Sequence, residues 1–275
     1  MGRNGVAESV EHSMGATVSP PRASHAAPAG RPAEDLSGPQ PTKRRIAVFC
    51  DGADVAEMLA AYQADSVDGF TTNPTLMRKA GVKDYASFAR EVLAVIRDLP
   101  ISFEVFADEF AEMERQARII TSWGSNVYVK IPVTNTRGEF SGSVIRDLAR
   151  DGVKLNVTAI LAIEQVRAVV ELLNPAVPAI VSVFAGRIAD TGIDPVPVMK
   201  EVVRIVARLP LAKVLWASPR EVLNVYQAEE CGCHIVTATK ALLDKLPMRG
   251  KDLVELSRET VQMFFDDARR AGYTL

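Results

Sequence analysis

The chain has 275 residues, of which 48% are hydrophobic and 24% are charged. The formal net charge of −2 comes from nearly balanced acids and bases, so the composition offers neither a basic footprint for nucleic acid nor a polybasic patch for a membrane. A single domain of this length is usually a β-sandwich or an α/β barrel. These properties favour a soluble globular protein with a small-molecule partner.

The cysteine content and the N-terminus indicate the compartment. Cys50, Cys231 and Cys233 are odd in number and lack the spacing of a disulfide framework. The run from Cys231 to His234 offers an incomplete ligand set, so we expect no metal site there. No apolar run reaches membrane-spanning length, and no signal-peptide pattern begins the chain. The sequence therefore predicts a cytoplasmic protein with reduced thiols.

The first 44 residues differ in composition from the rest. Residues 1–44 are rich in Pro, Ala, Gly and Ser and poor in the side chains that build a core. We expect a disordered tail that either docks a partner or has no role. From residue 45 onward, short β-rich runs alternate with longer helical stretches, which is typical of parallel βα units. Residues 45–275 are therefore predicted to form one domain.

Eight strands are predicted in this domain, with helical stretches such as Phe110–Ile120 between them. Eight βα units in roughly 230 residues predict a (β/α)8 TIM barrel. A doubly wound open sheet is the alternative, but its glycine-rich dinucleotide loop is missing after the first strand. The predicted strands are Ile46–Cys50, Val67–Thr71, Ile101–Phe106, Asn126–Ile131, Val153–Thr158, Ala179–Phe184, Lys213–Ala217 and His234–Thr237.

The fourth predicted strand carries a lysine where sheet packing normally has an apolar residue. Alternation places Tyr128 and Lys130 on one face, and Val127, Val129 and Ile131 on the other. Full burial can lower a lysine pKa by up to roughly 3 to 5 units, and a shift of that kind would let Lys130 act as a nucleophile that forms a Schiff base. The alternative is a lysine whose amine reaches solvent at the strand end.

Further polar residues gather at the C-terminal ends of the predicted strands, where barrel enzymes carry their active sites. Asp51 and Glu104 are the carboxylates available as acid and base. Arg187, Arg220 and Ser218 form a candidate phosphate clamp, because guanidinium groups bind phosphate oxygens in pairs. Ordinary surface charge is the alternative for the two arginines.

Together these residues resemble the transaldolase family, including its smaller fructose-6-phosphate aldolase relatives. The resemblance covers the chain from about Ile46 to the C-terminus. The Thr-Thr-Asn-Pro and Val-Lys-Ile-Pro segments are specific when both occur in this order on these strands. The matching segments are Phe49–Asp54, Thr71–Leu76, Phe103–Val105, Val129–Thr134, Asn156–Thr158, Val183–Ile188 and Ala217–Arg220.

The resemblance implies a (β/α)8 barrel that acts on sugar phosphates and needs no metal or organic cofactor. Lys130 would form the Schiff base, Asp51 and Glu104 would be the acid–base pair, and Thr158 would orient the catalytic water. Asn73, Asn156 and Ser182 would hold a dihydroxyacetone unit. The complete set of implied substrate-binding residues is Thr72, Asn73, Asn156, Ser182, Phe184, Arg187, Ser218 and Arg220, of which the last three bind the phosphate.

Two positions bear on the branch of the family. The aldolase branch has a glutamine where Glu104 stands and a tyrosine where Phe184 stands, and this sequence resembles the transferase branch at both. Because phenylalanine supplies no hydroxyl to help water release a three-carbon enamine, we expect a transaldolase. The alternatives are an aldolase that releases free dihydroxyacetone and a non-catalytic sugar-phosphate-binding barrel. Pro219 departs from the aromatic residue of many relatives, which bears on the shape of the phosphate clamp.

The last predicted helix, about Gly250–Ala271, carries an apolar face that includes Leu253, Leu256, Val261 and Phe264. That face is expected either to cover the barrel or to contact a second copy. A homo-oligomer is therefore one of the partners that the sequence leaves open.

Overall fold

The computed structural model describes residues 46–275, so the predicted tail, residues 1–44, lies outside the described residues. Eight parallel strands form a closed barrel in sequence order, with the last strand paired to the first. This confirms the predicted TIM barrel. The strands are β1 (Ala47–Asp51), β2 (Gly69–Thr71), β3 (Ile101–Glu104), β4 (Val127–Pro132), β5 (Leu155–Ile160), β6 (Ala179–Val183), β7 (Ala212–Trp216) and β8 (Ile235–Ala238).

The observed strand boundaries lie within two residues of the predicted ones. β3 ends at Glu104 rather than Phe106, because the N–H groups of Phe106 and Ala107 donate to Gln116 Oε1 instead of to a neighbouring strand. β6 ends at Val183 rather than Phe184, because the chain turns into a helix immediately after Phe184. Side-chain acceptors and helix starts thus set these ends, and β-propensity does not reveal either.

Eleven α-helices lie among the described residues. The predicted helix from Phe110 is confirmed, with Met113, Ala117 and Ile120 buried on one face. Five helices begin after an Asp or Asn whose side chain accepts a first-turn N–H: Asp54, Asn73, Asp84, Asp194 and Asp252. The helices are α1 (Val55–Gln63), α2 (Pro74–Lys79), α3 (Tyr85–Val95), α4 (Phe110–Thr121), α5 (Gly142–Arg150), α6 (Ile163–Val170), α7 (Ala185–Asp190), α8 (Pro195–Val206), α9 (Val222–Glu230), α10 (Lys240–Leu243) and α11 (Leu253–Ala271).

The barrel interior has an apolar floor below the polar ends of the strands. The floor residues are Phe49, Tyr128, Ile180, Leu215 and Ile235. Asp51, Lys130 and Ser182 each follow a floor residue by two positions, so they point into the same interior one layer higher. Gly69 makes room for the floor, since a Cβ at that position would lie 2.6 Å from the Phe49 ring. The floor thus closes the interior beneath the polar layer.

The final helix, α11, buries none of its residues. Its large apolar side chains, including Leu253, Val254, Phe264 and Phe265, are more than half exposed. The apolar face of α11 therefore does not cover the barrel, which was one of its two predicted roles. The other role, contact with a second copy, stays a prediction. Within residues 46–275, no helix combines the length and apolar character needed to cross a bilayer.

Candidate active site

The strand register places several predicted site residues side by side. Glu104 on β3 pairs with Lys130 on β4, and Lys130 pairs with Asn156 on β5. Asp51 ends β1, and Ser182 lies one residue before the end of β6. Because parallel strands present their C-terminal ends at one edge, these five residues meet inside one mouth of the barrel. This is the arrangement that the sequence predicted.

Lys130 is buried, with 6% of its surface exposed. Its Nζ forms an ion pair with Glu104 Oε2 at 2.9 Å and donates a hydrogen bond to the Thr72 carbonyl oxygen at 2.9 Å. The alternative of a lysine reaching into solvent is thus excluded. A buried amine with a carboxylate in contact has a proton acceptor at hand, which a nucleophilic amine requires.

Asp51 lies in the same interior and is held by Thr71, whose hydroxyl donates to Asp51 Oδ1 at 2.7 Å. Burial raises the pKa of the Asp51 carboxyl above its ordinary value. The nearby Lys130 ammonium and hydrogen bonds from Thr71 and Asn73 lower that pKa but do not offset the burial. Asp51 is therefore a better proton acceptor than an exposed aspartate, as acid–base work near neutral pH requires.

Asn156 is fully buried and connects three strands. Its Nδ2 donates to Ser102 Oγ at 2.9 Å, and its Oδ1 accepts from Ser182 Oγ at 2.6 Å. Ser182 and Ser102 are also buried. This chain of side-chain hydrogen bonds fixes the amide beside Lys130, so its orientation does not depend on a mobile loop.

The segment after β2 supplies backbone contacts as well as side chains. Thr72 donates its hydroxyl to the Ser102 carbonyl at 3.0 Å, so its side chain already has a protein partner. Asn73 caps α2 through Oδ1, which accepts the Leu76 N–H at 3.0 Å, so its Nδ2 is left for Asp51 or a ligand. The structure therefore gives Thr72 a part in positioning Lys130 through its carbonyl.

Thr158 lies next to an irregularity in β5. The register with β6 shifts between Val157 and Ile160, and Ala159 has a φ of 59°, a left-handed conformation that is uncommon for alanine. Such bulges re-aim side chains near active sites. Thr158 is buried, and its carbonyl accepts the Val133 N–H at 2.9 Å. This links the ends of β4 and β5.

The candidate phosphate clamp is built from the loops after β6 and β7. Ser218 has a φ of 58°, and a Cβ at Gly186 would lie 1.5 Å from the Ser218 carbonyl oxygen. Only glycine permits this approach, which brings Ser218 beside the first turn of α7. The clamp therefore depends on the Gly186 backbone as well as on side chains.

The two clamp arginines are exposed and already have partners. The Arg187 guanidinium lies 5.4 Å from the centre of the Phe184 ring, a cation–π distance. Arg220 forms an ion pair with Asp190, with Nε 3.2 Å from Oδ1. An anion bound here would compete with Asp190 for Arg220.

Four residues around the site were missed at the sequence level: Thr71, Tyr85, Ser102 and Thr237. Thr71, Ser102 and Thr237 are polar residues at inward positions of strands, and that alternation was a usable signal. The Tyr85 hydroxyl donates to the Glu104 carbonyl at 2.9 Å from the start of α3, and no local pattern indicates this contact. Burial raises the pKa of Tyr85, so it remains a hydroxyl donor.

The fold and the polar mouth of the barrel are those of a (β/α)8-barrel enzyme with a buried lysine between acidic and amide side chains. Residues 48–275 match the model of the transaldolase/fructose-6-phosphate aldolase family. The chain therefore belongs to that family of transaldolase- and aldolase-type enzymes.

Individual relatives agree with this assignment. The chain is 35% identical over 197 residues to a "Probable transaldolase" of Dehalococcoides mccartyi, covering 71% of this chain and 88% of the relative. It is 33% identical over 199 residues to "Probable transaldolase 2" of Listeria monocytogenes, covering 72% of this chain and 87% of the relative. A solved 2,3-dimethylmalate lyase has a TM-score of 0.51 at 12% identity and covers 84% of this chain and 85% of its own. The last likeness shows the fold alone.

The raised pKa of Asp51 predicts the pH dependence of stability. The folded protein binds this proton more tightly than the unfolded chain, so the stability that Asp51 contributes at low pH is lost as the pH rises through its folded pKa. Asp51→Asn should therefore gain stability relative to the natural chain with rising pH, by about 1.4 kcal/mol per unit of pKa elevation. Urea unfolding across a pH series measures the difference.

Asp84→Asn is the matched control for this series. Hydrogen bonds from Ser87 lower the pKa of Asp84 at the start of α3, so the relative stability of that variant should fall with rising pH. A difference for Asp51→Asn that is flat or falls with pH would contradict the prediction.

Gly186→Ala tests the close approach at the clamp. Gly→Ala inside a helix ordinarily stabilises a protein by up to about 1 kcal/mol. Here the new Cβ would overlap the Ser218 carbonyl, so we expect a loss of about 1–3 kcal/mol or more. Thermal unfolding measures it, with Ala189→Ser at an exposed position of α7 as the control. An unchanged or raised midpoint for Gly186→Ala would count against the geometry.

Proposed function

We propose that the protein is a transaldolase that moves a dihydroxyacetone unit from a ketose phosphate to an aldose phosphate through a Schiff base on Lys130. The observation that carries the proposal is the buried Lys130 amine, 2.9 Å from the Glu104 carboxylate. Family membership and the relatives named as transaldolases support the same reaction. A cytoplasmic place in carbohydrate metabolism, in the pentose phosphate pathway, forms part of the proposal.

The first step is attack of the Lys130 amine on the C2 carbonyl of the ketose. Glu104 first takes a proton from the Lys130 ammonium, which frees the amine to attack, and passes that proton to the C2 oxygen, which becomes a hydroxyl. As the carbinolamine forms, the nitrogen loses its second proton to the same carboxylate. The same carboxyl then protonates the C2 hydroxyl, which leaves as water and gives the iminium. Thr158, buried at the end of β5, orients this water in the proposal.

The second step is cleavage of the C3–C4 bond. The Asp51 carboxylate takes the proton of the C4 hydroxyl, the bond breaks, and its electron pair neutralises the iminium as an enamine while the aldose phosphate leaves. The enamine then attacks the aldehyde carbon of the acceptor, and Asp51 returns its proton to the new alkoxide. Water adds to the resulting iminium by the reverse of the first step, which releases the new ketose phosphate and regenerates Lys130. The raised pKa of Asp51 suits a group that must both take and give a proton.

Substrate binding divides between the interior and the exposed clamp. Asn73, Asn156 and Ser182 carry the hydrogen-bonding groups proposed for the three-carbon unit. The phosphate binds Arg187, Ser218 and Arg220 near the surface. There it replaces Asp190 as the ion-pair partner of Arg220. Phe184 lies between these regions and offers no hydroxyl to activate water.

Borohydride trapping tests the covalent step. Reduction in the presence of fructose 6-phosphate should add the mass of a three-carbon unit to the peptide that contains Lys130, because borohydride reduces the iminium irreversibly. Lys130→Met should lose the adduct and reduce turnover by on the order of 10⁴-fold or more. Peptide mass spectrometry and a coupled assay measure the two effects.

Lys154→Ala is the matched control, since Lys154 precedes β5, at the opposite end of that strand from Thr158, where its Nζ donates to the Ser125 carbonyl and lies 5.8 Å from the centre of the Tyr128 ring. That variant should keep both the adduct and the activity. An adduct that persists in Lys130→Met, or none in the natural chain, would overturn the proposal.

The acceptor dependence separates a transaldolase from an aldolase. With fructose 6-phosphate alone, release of free dihydroxyacetone should be slow, and adding erythrose 4-phosphate should speed donor consumption at least about tenfold, a barrier difference of about 1.4 kcal/mol. Phe184→Tyr introduces a hydroxyl on the ring that lies beside Arg187, so it should raise the rate of dihydroxyacetone release without acceptor. Equal rates with and without acceptor in the natural chain would instead indicate an aldolase.

A further inference from the structure

Two buried threonines form a hydrogen-bonded pair next to Asp51. The Thr71 and Thr237 hydroxyl oxygens are 2.6 Å apart, and both residues are buried. Thr71 lies on β2 opposite Asp51, and Thr237 lies on β8 opposite the floor residue Phe49. The two hydroxyls therefore meet across β1 and join the two strands that flank it, with Thr71 level with the carboxylate and Thr237 level with the floor residue.

The direction of these hydrogen bonds follows from the single proton on each hydroxyl. An ionised Asp51 only accepts, so Thr71 donates to it at 2.7 Å and must itself accept from Thr237. When Asp51 is protonated, its O–H donates to Thr71, which then donates to Thr237. Both arrangements use the same oxygen positions, but the hydrogen bond to the ionised carboxylate is the stronger one, so the two hydroxyls together favour the charged form.

We propose that Thr71 and Thr237 are positioning residues that hold the Asp51 carboxyl in place and favour its ionised form during the acid–base steps. The inference rests on the proposed role of Asp51 in C3–C4 cleavage. Thr237 touches neither Asp51 nor the substrate position directly and acts through the Thr71 hydroxyl. Neither threonine is a group that the reaction consumes.

Other groups around Asp51 also act on the charge of its carboxyl, besides the two threonines. The Lys130 ammonium on β4 favours the carboxylate, and the Glu104 carboxyl on β3 opposes it. Asn73, after β2, provides an amide hydrogen bond. These contacts come from the mouth of the barrel, where substrate binds. The two threonines approach from β2 and β8, on either side of β1, so their support does not come from the groups assigned to the reaction.

The test compares Thr237→Val, which keeps the shape and removes the hydroxyl, with Thr237→Ser, which keeps the hydroxyl. The Asp51 carboxyl is titrated by ¹³C NMR on protein labelled at its aspartate carboxyls, and the signal is assigned with Asp51→Asn. Removing a donor favours the protonated acid, so Thr237→Val should raise the titration midpoint by about 0.3–1 pH unit. Thr237→Ser should leave it close to that of the natural chain.

Turnover gives the second readout. The acidic limb of kcat should move to higher pH by the same amount in Thr237→Val, with KM for the ketose phosphate nearly unchanged. Thr71→Val removes the direct bond and should shift the carboxyl titration further. A merely structural role predicts altered thermal stability with an unshifted titration.

The inference is overturned if the Asp51 titration in Thr237→Val matches the natural chain, or if the Val and Ser variants shift alike. Failure of the proposed function looks different, because the natural chain would then give no trapped adduct at Lys130. The carboxyl titration needs no substrate, so it decides the role of the threonines in either case.

Discussion

The ion pair of Lys130 and Glu104 is the interaction on which the site depends. Charged groups in a barrel interior are stable only where partners replace water, and the Glu104 carboxylate and Thr72 carbonyl do so at 2.9 Å each. The partners come from neighbouring strands, so the register of β2, β3 and β4 fixes the geometry. A slip of one residue would turn Lys130 toward the helices and leave a charge without a partner.

The burial that supports this chemistry also opposes stability. Asp51 lies in the same interior, where burial raises its pKa and makes its charged form unfavourable, and hydrogen bonds from Thr71 and Asn73 offset part of that effect. The floor beneath it is apolar, and Gly69 leaves room for the Phe49 ring in that floor. The raised pKa of Asp51 thus depends on a packed layer of apolar side chains beneath it.

The proposed phosphate side of the site follows a different principle. Arg187 and Arg220 are exposed and hold their positions through a ring contact and an ion pair, which are weaker constraints than the interior network. The backbone fixes the geometry instead, because the Ser218 carbonyl lies so close to Gly186 that no residue with a Cβ fits at position 186. In the proposed reaction the substrate phosphate is therefore bound near the surface, whereas the carbonyl chemistry takes place in the interior, where the amine and carboxyls are close together.

The alternation of Lys130 with Val129 and Ile131, and the βα repeat around it, were sufficient to predict the barrel and the strand ends that carry polar groups, because both patterns are local. The C-terminal ends of β3 and β6 were not predicted, since a hydrogen-bond acceptor on Gln116 decides the first and the start of α7 decides the second. Tyr85 and the pairing of Thr71 with Thr237 were also not predicted. The sequence by itself determined which residue types face the interior. Only closure of the barrel decided which of them touch, since Thr71 and Thr237, far apart in sequence, meet only when the eighth strand pairs with the first.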